Sequence, residues 1–250
     1  MRRRLLPLGL IALLVGLWQI ASSTGAIADA LSLEPYLVPS PAEIASSLWE
    51  NRSLLAENAW VTLKEILLGI LFALVVGIGF AILMHRWRVL RDAAYPLIVA
   101  SQTIPIVVIA PILLVWFGYG ITPKIVIVAL ICFFPITVNA LDGLRSVDPE
   151  AVKMMRTLDA SRWQRFRRVE APSALPNLFT GIKISVVVAP IAAVFAEWAG
   201  SNEGLGRSIQ SDLANYQVAN MFAAVVVLSV LALALIGLVA LAERRVVRWR

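Results

Sequence analysis

Six apolar stretches, at about residues 5–21, 62–84, 97–117, 125–141, 175–198 and 218–241, constrain this chain more than any other feature. Each is roughly as long as a helix must be to cross a hydrocarbon core of about 30 Å. Lipid offers no partner to a peptide group, so such a segment has to satisfy its own backbone, and the helix does that. Composition agrees: 60% of the 250 residues are hydrophobic, 15% are charged and the mean hydropathy is +0.82, outside the balance of a water-soluble domain. The expected fold is an all-α membrane protein with six transmembrane helices in one domain, residues 1–250.

A net charge of +6 raises the question of nucleic acid, but the positions of the cations answer it. Of the 22 lysines and arginines, 17 fall at 2–4, 86–91, 145–168 and 244–250, which are alternate connections and termini. Arg52, Lys64, Lys124 and Arg207 lie on the other side or near it, and Lys183 lies within a span. This is the positive-inside asymmetry, and it places both termini and the loop 144–174 on the cytoplasmic side of the membrane. The first apolar run follows three arginines, yet it is long and Ala21-Ser22-Ser23 is a weak cleavage cue, so it reads as a retained span. Cys132, the single cysteine, falls in mid-span as a small core residue.

The outer segment 22–61 contains Pro35, Pro39 and Pro41, followed by an amphipathic pattern over 42–55, which predicts an interfacial helix starting at Pro41. Gly69, Gly77 and Gly79 allow close helix approach, and Pro105 and Pro111 free carbonyls that need protein or water as partners. Only the turn 118–123 separates the third and fourth spans. His85, beside Arg86 and Arg88 at a span end, reads as a solvated or headgroup-level residue. There is no metal-ligand cluster, phosphate-cradling glycine loop, nucleophile elbow or catalytic carboxylate pair in the sequence, so no residues stand ready for enzyme chemistry.

Polar residues inside the spans are candidates for a solute pathway, because lipid penalises them. These are Gln102 and Thr103 beside Pro105, Asn139 late in the fourth span and Glu197 in the fifth. Helix-to-helix hydrogen bonding is the competing reading for Gln102 and Asn139. Lys183 is placed to snorkel, and Glu197 to reach outer water. The segment 201–216 is the outer surface available to a partner.

The loop 144–174 carries most information. Asp148 and Pro149 form a helix start, and a helix should run to about Leu158 with Ala151, Val152, Met154, Met155 and Leu158 as apolar surface. Residues 161–168 predict a second helix with a basic face at headgroup level.

At this loop, VDPEAVKMMRTLDASRWQRFRRVEAPSALP, the chain resembles the permease subunits of binding-protein-dependent ABC importers, whose mark is EAA, three residues, G, then about nine residues and a proline. The resemblance covers about residues 59–241. It implies a type I ABC importer permease fold, in which the helix at 151–158 is a coupling helix docking into an ATPase. Glu150, Ala151, Lys153, Met154, Met155, Leu158 and Asp159 are the implied docking residues. Two departures stand out: Lys153-Met154-Met155 replaces Glu-Ala-Ala, and Asp159 replaces the glycine of the turn. Asp tolerates a left-handed or capping conformation.

SQTIP, WFGYGITPK, FFPITVNALDGL and AEWAGSNEGLG resemble permeases for nitrate, sulfonate, taurine and vitamin precursors, and FFPITVN, GIKIS and AEW those for thiamine-precursor pyrimidines or riboflavin. The implied function is ATP-driven import by alternating access of a small vitamin-precursor heterocycle, or alternatively a sulfonate, taurine or nitrate. The implied partners are cytoplasmic ATPase subunits, which hold the ATP and magnesium, an extracytoplasmic solute-binding protein and a second copy of the chain. Two other classes remain open here: an ion-coupled secondary transporter, which needs midplane ion ligands and an inverted repeat, and a membrane anchor for a soluble partner.

Overall fold

The computed structural model describes residues 2–248, with side chains from residue 9 onward, and every regular element among them is helical. In chain order these are α1 (Arg2–Ser23), α2 (Ala26–Leu31), a 3-10 turn (Pro35–Leu37), α3 (Pro41–Glu50), α4 (Arg52–Arg86), α5 (Arg88–Ser101) and α6 (Ile106–Phe117). They continue with α7 (Ile121–Arg145), α8 (Pro149–Thr157), α9 (Arg162–Arg165), a π-helical turn (Phe166–Glu170), α10 (Ala171–Gly200), α11 (Leu205–Ala214) and α12 (Val218–Val246).

All six apolar stretches lie in helices, but they are not six equal spans. Four helices are long and apolar enough to cross a membrane: α4, α7, the run from α9 through α10, and α12. The apolar part of α1, Gly9–Ser23, is shorter. The third stretch is broken: α5 and α6 meet at 101°. Pro105 explains the break, since its ring fixes an extended N-cap for α6 and it has no N–H to continue α5.

The local signals act as chemistry requires. Ser40 caps α3 reciprocally, its Oγ accepting from Glu43 N at 3.3 Å while Glu43 Oε2 accepts from Ser40 N at 2.7 Å. The amphipathic run ends at Asn51, earlier than the pattern implies, and α4 begins ten residues before its apolar stretch. At 35 residues α4 is about 50 Å long, more than a bilayer core requires.

The chain divides into two compact units. Residues 1–61 with 203–229 form one, whose core is Ile44, Leu55, Leu205, Ile209, Ala223 and Ala224. Within it Asn58 accepts from Gly204 N at 2.8 Å and donates to Ser208 Oγ at 2.9 Å, fixing the start of α11.

Residues 62–202 with 230–250 form the other. Its core joins Ile66, Ile70 and Ala73 of α4 to Ile127, Val128, Cys132 and Ile136 of α7 and to Val186, Ala189, Ala192, Ala193 and Ala196 of α10. Small residues set the spacing. A Cβ on Gly181 would stand 2.5 Å from Pro135 O, and one on Gly69 2.5 Å from Val128 Cβ. A Cβ on Gly77 would stand 2.9 Å from Thr137 Oγ1, whereas Gly79 faces open space. Cys132 is a buried core residue, as expected, and Ser185 Oγ reaches its carbonyl at 3.2 Å.

Candidate functional site

The loop between α7 and α10 builds the first part of the site. Asp148 Oδ1 accepts from Glu150 N at 2.9 Å and starts α8 with Pro149 in its first turn, as the sequence predicts. At its other end Asp159 N bonds Arg156 O at 3.0 Å and Ala160 N bonds Met155 O at 3.0 Å. These are the two bonds of a Schellman motif, with Asp159 in the left-handed position at φ 51° that glycine usually fills.

Met154 and Leu158 are 61% and 69% exposed, and with Ala151 and Met155, both half-buried, they share one face of α8. Lys153 turns back to its own helix, its Nζ 2.7 Å from Glu150 Oε1, so the charge introduced at the family's glutamate position is met by a neighbour three residues away. An exposed pair of this kind contributes little stability. α8 therefore presents an apolar patch flanked by a self-paired lysine.

The predicted second helix is not separate. Ser161 and Gln164 form a capping box, with Gln164 N to Ser161 Oγ at 3.2 Å and Ser161 N to Gln164 Oε1 at 2.7 Å. The helix then passes through the π turn directly into α10. The S-x-x-Q spacing was the available signal for this start. His85 is half-buried and 3.2 Å from Glu170 Oε2, a more defined setting than a solvated span end.

A second polar group gathers where α4 begins its apolar stretch, α7 starts and α10 ends. Lys124 Nζ donates to Glu65 Oε1 at 2.7 Å and to Ser201 Oγ at 2.6 Å, and Thr62 Oγ1 donates to Glu197 Oε1 at 2.6 Å. Glu65 and Glu197 are both buried within this group. Glu197 is fully buried, which corrects the expectation that it reaches water, and it does so by packing among these partners. The sequence reading passes over Glu65. Its signal was a carboxylate three residues inside an apolar stretch.

The other pathway candidates lie elsewhere. Gln102 and Thr103 are exposed in the break between α5 and α6, Gln102 bonding Ser101 Oγ at 3.3 Å and Thr103 the Ala100 carbonyl at 2.8 Å. Asn139 Nδ2 donates to Pro135 O of its own helix at 2.7 Å, a bond that does not link helices. Lys183 snorkels only in part, because it meets Glu243 of α12.

The family described as "Binding-protein-dependent transport system inner membrane component" matches residues 66–248. A probable ABC transporter permease protein of Haemophilus influenzae is 39% identical over 233 residues, 93% of each chain. The formylaminopyrimidine transport permease protein of Halalkalibacterium halodurans is 38% identical, covering 87% of both chains. The riboflavin transport system permease protein of Chloroflexus aurantiacus is 37% identical over 98% of this chain and 89% of its own. A methionine ABC transporter solved in inward-facing conformations superposes with a TM-score of 0.67 at 21% identity, over 80% of this chain and 97% of that one, a likeness of fold. The family match runs from inside α4 to the end of α12, and this chain belongs to the binding-protein-dependent inner-membrane components, the permeases of ABC importers.

Proposed function

We propose that two copies of this chain form the solute pathway of an ATP-driven importer, with both termini and α8 on the cytoplasmic side. The observation that carries this reading beyond family membership is the break between α5 and α6. Residues 102–105 leave helical geometry and are exposed along their whole length. Non-helical backbone at membrane depth persists only against protein or a water-filled cavity, so a second copy and an aqueous path belong on this side. Gln102 and Thr103 then face the solute.

α8 is the coupling helix. Its apolar face, Ala151, Met154, Met155 and Leu158, seats in a separate ATPase subunit, which holds the ATP and magnesium, and the turn at Asp159 keeps the helix rigid against α10. Closure of the ATPase pair on ATP is passed through α8 as rocking of the spans, and a solute-binding protein outside the cell contacts the outer segment 201–216. The favoured solute is a vitamin-precursor heterocycle, a hydroxymethylpyrimidine type or riboflavin, because relatives at 38% and 37% identity are named for formylaminopyrimidine and riboflavin transport. Relatives named for aliphatic sulfonates and taurine are 27% and 28% identical, which makes such anions the second reading.

The test is co-purification with the ATPase and nucleotide-dependent uptake in vesicles. Met154→Asp with Met155→Asp should abolish ATPase association while membrane insertion persists, since a charge would enter an apolar contact. Unchanged association would rule out α8 as the docking element, and uptake driven by an ion gradient without nucleotide would rule out the importer.

A further inference from the structure

Beside α8 but apart from its docking face lies a cavity of about 530 Å³ lined by Ile82, Leu83, His85 and Arg86 of α4, Arg156 of α8, and Arg162, Trp163, Arg165, Phe166 and Glu170. Its size falls in the range of ligand pockets. Four arginines line it against a single carboxylate. Among the described residues none of the four makes an ion pair, while Glu170 is engaged by His85 at 3.2 Å. Such a concentration of unpaired cations calls for an anion.

The remaining wall is apolar. Trp163 and Phe166 stack with ring centroids 5.8 Å apart, and Ile82 and Leu83 continue the surface down α4. Leu83 is 40% exposed on a helix that crosses the membrane. The π turn at Phe166–Glu170 opens the backbone at this place, and single π turns are frequent at functional sites. A ligand fitting both halves has a phosphate at one end and hydrocarbon at the other.

We propose that this cavity binds the phosphate of an anionic phospholipid, such as phosphatidylglycerol, in the leaflet on the α8 side. Arg86, Arg162 and Arg165 hold the phosphodiester, the aromatic pair covers the glycerol, and the acyl chains run along Ile82 and Leu83. Basic pockets between membrane helices recognise lipid head groups in this manner, with each cation contributing roughly a fivefold gain in binding. Arg162 and Arg165 sit directly after the turn that ends α8, so the lipid would brace the base of the coupling helix. That consequence rests on the proposed function, whereas binding itself does not.

The experiment measures lipid retained by the full chain in detergent, by native mass spectrometry, with phosphatidylglycerol, phosphatidylcholine of the same acyl chains, or inorganic phosphate added. Phosphatidylglycerol should be retained and phosphatidylcholine lost. Arg162→Gln should weaken retention about fivefold, and the triple variant Arg86→Gln, Arg162→Gln, Arg165→Gln on the order of a hundredfold. Removing equal charge at the far end of α12, with Arg244→Gln, Arg245→Gln and Arg248→Gln, should leave retention unchanged. The single variant changes one exposed side chain and guards against loss of fold in the triple one. Equal retention of both lipids, unchanged retention in R162Q and the triple variant, or equal weakening by the α12 variant would each overturn the proposal. Displacement of the lipid by inorganic phosphate at equal concentration would assign the cavity to a soluble anion instead. Failure of nucleotide-driven uptake would bear on the importer alone and leave the lipid result standing.

Discussion

Lys124 and Glu65 form an ion pair of 2.7 Å with side chains only 8% and 1% exposed, tying the start of α7 to α4 inside an apolar unit. Two charges so far from water are held by each other and by Ser201, and no part of the pair is dispensable on its own.

Lys124→Met should therefore lower stability by about 3–5 kcal/mol, because Glu65 is left buried beside Glu197 without its cation. The double variant Lys124→Met with Glu65→Gln should recover most of that loss. Glu197→Gln should cost only about 1 kcal/mol, since one acid remains for one base and the amide oxygen still accepts from Thr62. Thermal unfolding in detergent reads all three. A K124M variant as stable as the wild type would show that the pair does not hold α7 to α4.

Helix spacing in the same unit gives a sharper contrast. Gly181→Ala places a methyl group 2.5 Å from Pro135 O and 3.0 Å from Asn139 Cβ, so α10 has to move off α7, at about 1–3 kcal/mol. Gly79→Ala meets no atom within 4 Å and should be neutral or stabilising by up to about 1 kcal/mol. The yield of folded protein and its unfolding temperature distinguish the two. Equal behaviour would mean that α7 and α10 are not in contact as described.

The turn after α8 allows a test of coupling. Asp159 holds φ 51°, so Asp159→Gly should keep the turn or ease it, and Asp159→Val should strain it by about 1–2 kcal/mol. With the ATPase present, D159G should transport as the wild type does. D159V should insert normally yet show weakened nucleotide-dependent uptake. Equal uptake by both variants would deny the turn any part in transmission.

The sequence by itself determined the helices, their membrane environment and the loop that carries α8. These follow from signals a few residues apart: an apolar run that must satisfy its own backbone, Asp148 before Pro149, Ser40 three residues before Glu43, and an aspartate able to take a left-handed turn. The break at Pro105 was half legible, as a proline in an apolar run, but its angle of 101° was not. Only the tertiary structure decided which polar groups meet. Glu65, Lys124 and Glu197 are far apart in the chain, and their charges call for partners without naming them. The same holds for Arg86, which lines one cavity with Arg162 and Arg165 only because the end of α4 lies beside Glu170, where His85 meets it. Backbone propensity and hydrophobicity are local and readable in order. Pairing of charges depends on distances that exist only once the helices have packed.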